Sequence, residues 1–149
     1  MPLGAEPMAS NTVPARDPRN AALAAALREV VSSDRRVLGV YLFGSRARGE
    51  STSRSDLDLG VLFREPAGLR DIVLMESALE DALGLGVDLV DLASCRTFLA
   101  LEIIDGERIY CADADACDRF ELYVLRKAGD LARFERERRA SLLEPSPRT

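Results

Sequence analysis

Apolar positions fall into two alternating rhythms along the chain. Between residues 19 and 32, Leu23, Leu27, Val30 and Val31 recur at helical spacing. The run at 37–43 (VLGVYLF) is short, β-branched and aromatic, which predicts a buried strand. A polar stretch, 46–55, separates it from a second such run at 57–63 (LDLGVLF). Ile72, Met75, Leu79 and Leu83 then line one side of a helix over 69–83, which Gly84 and Gly86 stop. A third strand is expected at 87–92, a helix at 94–104, a fourth strand at 107–111 and a long helix at 114–143. That last helix would bury a stripe of Phe120, Tyr123, Val124, Leu131 and Phe134. The order predicts an α/β (α+β) domain with a small mixed β-sheet flanked by helices. One domain over 19–143 is expected. The proline-rich residues 1–18 read as a disordered tail and 144–149 as a second tail.

Composition narrows the chemistry. With 47% hydrophobic residues the chain can build a core, but only 5% are aromatic, so Leu, Val, Ile and Ala must supply it. A net charge of -5 disfavours direct nucleic-acid binding, which relies on basic side chains neutralising phosphates. Histidine is absent, which removes Ser-His-Asp triads, Cys-His nucleophiles and His-ligated zinc together. The cysteines Cys95, Cys111 and Cys117 show no C-x-x-C spacing and read as reduced packing residues of a cytoplasmic protein. No apolar run is long enough for a membrane span.

The chemistry gathers between the first two strands. Asp56 and Asp58 stand two apart where the second strand opens, so their side chains leave the same face. Their Cα atoms would lie roughly 6.5–7 Å apart. From there carboxylates can converge on a metal pair about 3.5–4 Å apart. Leu57 and Leu59 point to the opposite, core face. Oxygen donors without His or Cys suit Mg²⁺ or Mn²⁺. Gly44 directly follows the first strand and allows close backbone approach to a phosphate. Backbone N–H groups at that turn, with the Ser45 hydroxyl, suit triphosphate oxygens. Arg46, Arg48 and Arg54 add local positive charge. Gly44-x-x-x-x-Gly49-Glu50-Ser51 mimics a P-loop, but Glu50 stands where a phosphate-binding lysine is required. A third carboxylate should come from VDLVDL. Asp88 is favoured over Asp91, because Asp88 on the active face sends Val87 and Leu89 to the core.

The stretch Gly44-Ser45-Arg46-Ala47-Arg48-Gly49-Glu50, followed by Ser55-Asp56-Leu57-Asp58-Leu59, resembles the signature of the polymerase-β-like nucleotidyltransferase superfamily. Asp88 falls where that family has its third acidic residue. Ile103-Ile104-Asp105-Gly106-Glu107-Arg108-Ile109-Tyr110 and the charged last helix resemble the minimal-nucleotidyltransferase antitoxins paired with HEPN toxins. The resemblance implies AMP transfer from ATP to a tyrosine of a HEPN ribonuclease, within a hetero-oligomer. It implies that Gly44 and Ser45 bind the triphosphate, with looser roles for Arg46 and Arg48. Asp56, Asp58 and Asp88 would hold two Mg²⁺ ions and act in catalysis. Transfer to a small molecule such as an aminoglycoside, or a non-catalytic antitoxin that only masks its toxin, are the competing expectations. Beyond the last strand there is chain enough for one long helix only, which favours an acceptor presented by another protein.

Overall fold

In the computed structural model, residues 20–49 and 56–144 are described. The expected tail at 1–18, residues 145–149 of the other, and the 50–55 segment with Glu50, Arg54 and Ser55 lie outside the described residues. The elements run α1 (Ala21–Val31), β1 (Val37–Phe43), β2 (Leu57–Phe63), α2 (Leu69–Leu83), β3 (Val87–Asp91), α3 (Thr97–Asp105), β4 (Glu107–Cys111) and α4 (Ala114–Leu143). The strands form one mixed sheet in the order β3-β2-β1-β4. β1 pairs antiparallel with both β2 and β4, whereas β3, reached through α2, lies parallel to β2. A parallel neighbour needs such a crossover, because a tight hairpin can only return a strand antiparallel.

Helices cover both sides of the sheet, which is why β1 and β2 read as nearly continuous apolar runs. On one side Leu57, Leu59, Val61 and Phe63 of β2, with Val40 and Leu42 of β1, pack against Ala24, Leu27 and Val31 of α1 and Met75 and Leu79 of α2. On the other, Tyr41, Phe43 and Leu62 meet Ala100 and Ile103 of α3 and Cys117 and Val124 of α4. α3 rests directly on β2: a Cβ added at Gly60 would collide with Ile103. β3 is an edge strand. The Glu80 and Glu76 carboxylates of α2 accept from the Val87 and Leu89 N–H groups at 3.0 and 3.1 Å, which occupies donors an edge would otherwise leave open.

Three expectations need correction. α3 begins at Thr97 rather than at 94. The buried Asp91 carboxylate accepts from Ala93 N–H at 3.1 Å and from the Ser94 hydroxyl at 2.9 Å, which holds the preceding residues in a turn. The same bonds end β3 at Asp91 rather than at 92. The expected α4 stripe is buried only in its first half. Cys117, Val124 and Ala128 are buried and Phe120 is partly covered, but Tyr123, Leu131 and Phe134 are exposed. A helix of 30 residues is about 45 Å long, so α4 runs past the sheet and Leu131 and Phe134 lose their cover, whereas Tyr123, beside the buried Val124, sits off the covered face. Among the described residues no helix is long and apolar enough to cross a membrane.

Candidate active site

The site forms where β1 ends and β2 begins. Gly44 leaves β1 with φ +73°, a left-handed conformation that strains any residue with a Cβ. The chain then coils through 44–49, with Arg48 N–H donating to Gly44 C=O and Gly49 N–H to Arg46 C=O, both at 3.3 Å. Asn20, buried at the start of α1, donates its side-chain N–H to Arg46 C=O at 3.2 Å and ties this turn to the body. Ala47 tucks against the α1/α2 core. Ser45 and Arg46 are half-buried, and Arg48 is exposed.

Asp56 stands just before β2 and is exposed. The Leu57 N–H donates to Gly86 C=O at 2.8 Å, which pins this point to the start of β3. Alternation then sends Leu57 and Leu59 into the core and Asp58 to the α3/α4 face, opposite Phe43 on β1 and Asp88 on β3. Asp58 and Asp88 are therefore neighbours on one face of a parallel pair, with Asp88 exposed and Asp58 half-buried. Two glycines make room for the carboxylates. A Cβ at Gly44 would strike the Asp58 carboxylate, and one at Gly86 would strike that of Asp56. Asp91 faces the other side and is consumed by its turn.

Burial pushes the Asp58 carboxyl above its ordinary range, and the negative charges of Asp88, Asp56 and Glu102 push it further, against a lowering by Arg48. A cation beside Asp58 would offset this repulsion. The neighbours of Asp58 on the sheet are hard oxygen donors, the set that fits Mg²⁺ or Mn²⁺. Among the described residues no three acidic or cysteine side chains converge tightly enough to close on a metal ion, with Asp58 turned to Gly44 and Asp56 to Gly86.

Beside Gly44 opens a cleft of about 270 Å³. Phe43, Gly44, Ala47 and Arg48 form one wall; Glu102 and Asp105 of α3, with Gly106 and Glu107, form the other. Periodicity places Glu102 and Asp105 on one side of α3, but only the packing of Ile103 on Gly60 aims that side at Gly44. Gly86, read from sequence as a helix stop, is also the seat of Asp56. A larger cavity, about 530 Å³, lies at the far end of β1 and β2. Its Arg36 is ion-paired with Asp34 and Asp71 at 2.8 and 3.0 Å; Asp56, Asp58 and Asp88 line neither this cavity nor the cleft, but the cleft adjoins the Asp58 carboxylate through Gly44.

Residues 26–115 match the family described as "Polymerase beta, Nucleotidyltransferase", more than half of the chain. Protein adenylyltransferase MntA of Shewanella oneidensis is 33% identical over 104 residues, covering 68% of this chain and 70% of that protein. Its namesake from Thermococcus cleftensis is 41% identical over 65 residues, 44% of this chain and 66% of that one. A chain of a crystal structure of a toxin–antitoxin with AMP-PNP superposes with a TM-score of 0.69 at 20% identity, over 81% of this chain and 98% of the other. A chain from the complex of tri-AMPylated Shewanella oneidensis HEPN toxin with MNT antitoxin gives 0.63 at 19% identity, over 81% and 96%. At those identities the likeness is one of fold. With a glycine turn and paired strand-borne carboxylates in place, and with the family match spanning all four strands of the sheet, the chain belongs to the polymerase-β nucleotidyltransferase family.

Proposed function

We propose that this nucleotidyltransferase is a cytoplasmic antitoxin that transfers AMP from ATP to a tyrosine hydroxyl of a partner HEPN ribonuclease toxin, and so silences it. The observation that carries the reading is the Asp58–Asp88 pair, in register on adjacent strands and flanked by Asp56, beside the left-handed Gly44 turn. The names of the MntA relatives, and of the toxin–antitoxin structures with AMP-PNP and with an AMPylated toxin, support the acceptor and the donor.

Gly44 and Ser45 would present N–H groups and a hydroxyl to the triphosphate, with Arg46 and Arg48 adding positive charge near the leaving pyrophosphate. Asp56 and Asp58 would ligate both of two Mg²⁺ ions, and Asp88 one of them. When bound, these ions would lower the pKa of the acceptor hydroxyl and stabilise the charge that develops on the leaving group. The acceptor oxygen attacks the α-phosphorus in line. A bond from tyrosine oxygen to α-phosphorus forms, the bond to the bridging oxygen of pyrophosphate breaks, and the hydroxyl proton passes to Asp88 and then to solvent. The protein's contribution is placement and preorganised charge rather than covalent chemistry.

Label transfer from ATP labelled at the α-phosphate to the purified toxin tests the reading. Label should move to a toxin tyrosine with the wild-type chain and fail with Asp58→Asn; undiminished transfer by the variant overturns the metal-binding role. A stoichiometry series separates catalysis from masking. A catalyst protects toxin in excess when ATP is present, whereas a masking partner protects only one for one.

A further inference from the structure

Away from the nucleotide cleft, at the opposite end of β4 from Glu107, two cysteines meet. Cys111 is the last residue of β4, and Cys117 lies in the first turn of α4. Their sulfur atoms are 2.8 Å apart, closer than two unbonded sulfurs rest comfortably. Both ends of this contact are fixed. The Asp113 carboxylate caps α4 by accepting from Ala116 N–H at 3.2 Å, and Ala112 N–H donates to Leu38 C=O at 2.7 Å. Cys117 is fully buried, with its sulfur 3.5 Å from Leu38 C=O and pressed onto Gly39, where a Cβ would lie 2.8 Å from it. Cys111 is half-exposed. The third cysteine, Cys95, stands apart in the turn before α3, its thiol donating to Leu92 C=O at 3.4 Å.

We propose that Cys111 and Cys117 are a reversible redox modification site, closing to an intramolecular disulfide that ties β4 to the start of α4 when a low-molecular-weight disulfide such as oxidised glutathione is present. The Cys111 thiolate attacks one sulfur of glutathione disulfide, forming a mixed disulfide and releasing one glutathione thiolate. The Cys117 thiolate then attacks the Cys111 sulfur, forming the internal bond and releasing the second glutathione. The two thiol protons end on the two glutathione molecules; the protein loses two electrons and glutathione disulfide gains them. Exposure sets the order, because only Cys111 can be reached from solvent. Burial and the neighbouring Cys111 both push the Cys117 thiol up and so disfavour its thiolate, but the 2.8 Å approach makes the second step intramolecular, and proximity offsets the small thiolate fraction.

The test uses the full chain incubated with oxidised glutathione, then denatured, alkylated and digested with trypsin. The peptide 109–119 carries both cysteines and no other, so closure is read directly. The expected result is that this peptide appears unalkylated and two hydrogens lighter, that free thiols fall from three to one, that Cys95 is the one alkylated, and that dithiothreitol restores all three. Cys111→Ser, a change at a half-exposed position, should leave both remaining thiols free. Two alkylated cysteines in peptide 109–119 after oxidation overturn the proposal. So do a persistent glutathione adduct on Cys111, a link to Cys95 or to a second chain, or loss of thiols in the Cys111→Ser variant.

Discussion

Along β2, Leu57, Leu59, Val61 and Phe63 occupy alternate positions on the α1/α2 face and all are buried; the positions between them, on the α3/α4 face, are Asp58, Gly60 and Leu62. The first face is a closed apolar layer from one end of the strand to the other. The second begins with a carboxylate, continues with a residue that has no side chain, and becomes apolar only at Leu62. The difference lies in what covers each face. α1 and α2 span the first completely, whereas α3 comes down on Gly60 through Ile103 and leaves the sheet end beyond it open to the cleft. A half-buried carboxylate is tolerable there and nowhere deeper, because burying an unpaired charge is costly. One strand therefore serves core and chemistry at once, by alternation alone.

The largest effect should come from the open face. Asp58→Asn should lower adenylyl transfer about 10³-fold, equivalent to about 4 kcal/mol of transition-state stabilisation, measured as initial rate of label transfer at saturating ATP and Mg²⁺. The same change should not destabilise the fold. The pKa of Asp58 in the folded protein is raised above 3.8, so between that value and the folded pKa the native state holds a proton that the unfolded chain has released. The contribution of Asp58 to stability therefore falls as pH rises through this window and stays lost above it. Asp58→Asn should remove that decline, and urea midpoints across the acidic range, without metal, read it out. A variant with the same decline as the wild type would show that Asp58 is not repelled.

The closed face should behave in the reverse way. Leu59 is fully buried. Leu59→Ala should cost about 3 kcal/mol by lost transfer and cavity terms. That is a fall of roughly 10 °C in Tm for a chain of this size. Transfer per folded molecule should survive at temperatures well below the new midpoint. If activity instead fell as steeply as with Asp58→Asn, the two faces of β2 would not be separable.

Much of this architecture is legible in the amino-acid sequence. The runs at 37–43 and 57–63, bounded by Gly44 and Asp56, are continuously apolar because both faces of β1 and β2 are covered, and β-branched, apolar stretches of that length have few alternatives. Period two also predicts the faces of β3: Val87 and Leu89 turn to the core and Asp88 lies beside Asp58. Other features depend on contacts between residues distant in sequence. Nothing local says that Gly86 seats Asp56, or that Glu102 and Asp105 face Gly44, since both depend on how α2 and α3 settle on the sheet. The late start of α3 has a local cause in Asp91, whose side chain competes with the helix for Ala93 N–H, but a carboxylate in VDLVDL reads first as a metal ligand and only second as a turn former. The α4 stripe shows the limit of periodicity: it reports that a face is apolar, not how far a partner layer extends beneath it.

Two smaller changes sharpen the boundary between the faces. Gly44→Ala places a Cβ in a left-handed residue and against the Asp58 carboxylate, and should cost about 1–2 kcal/mol in stability. It should reduce transfer further than that loss explains if the displaced carboxylate holds the metal as proposed. Asp91→Ala should cost a similar amount, about 1–2 kcal/mol, by removing the two hydrogen bonds of its turn. Transfer at low temperature should be unchanged, since Asp91 faces away from the site. Thermal melts paired with single-temperature kinetics distinguish the two variants; equal kinetic losses would mean that Asp91 acts on the site as well.

The smallest effect is expected where α4 outruns the sheet. Val124 is buried on the α3/α4 face and Phe134, ten residues on, is 60% exposed. Val124→Ala should cost about 2 kcal/mol, while Phe134→Ala, the deletion of a much larger apolar side chain, should stay within about 0.5 kcal/mol of wild type. The inversion of the usual size rule is the informative part: it follows only if the apolar stripe of α4 loses its cover beyond Ala128. Urea denaturation of both variants, compared by midpoint at unchanged m-value, measures it. A Phe134→Ala loss as large as that of Val124→Ala would show that the distal half of α4 is packed in solution, and that the α3/α4 layer extends further than the sheet.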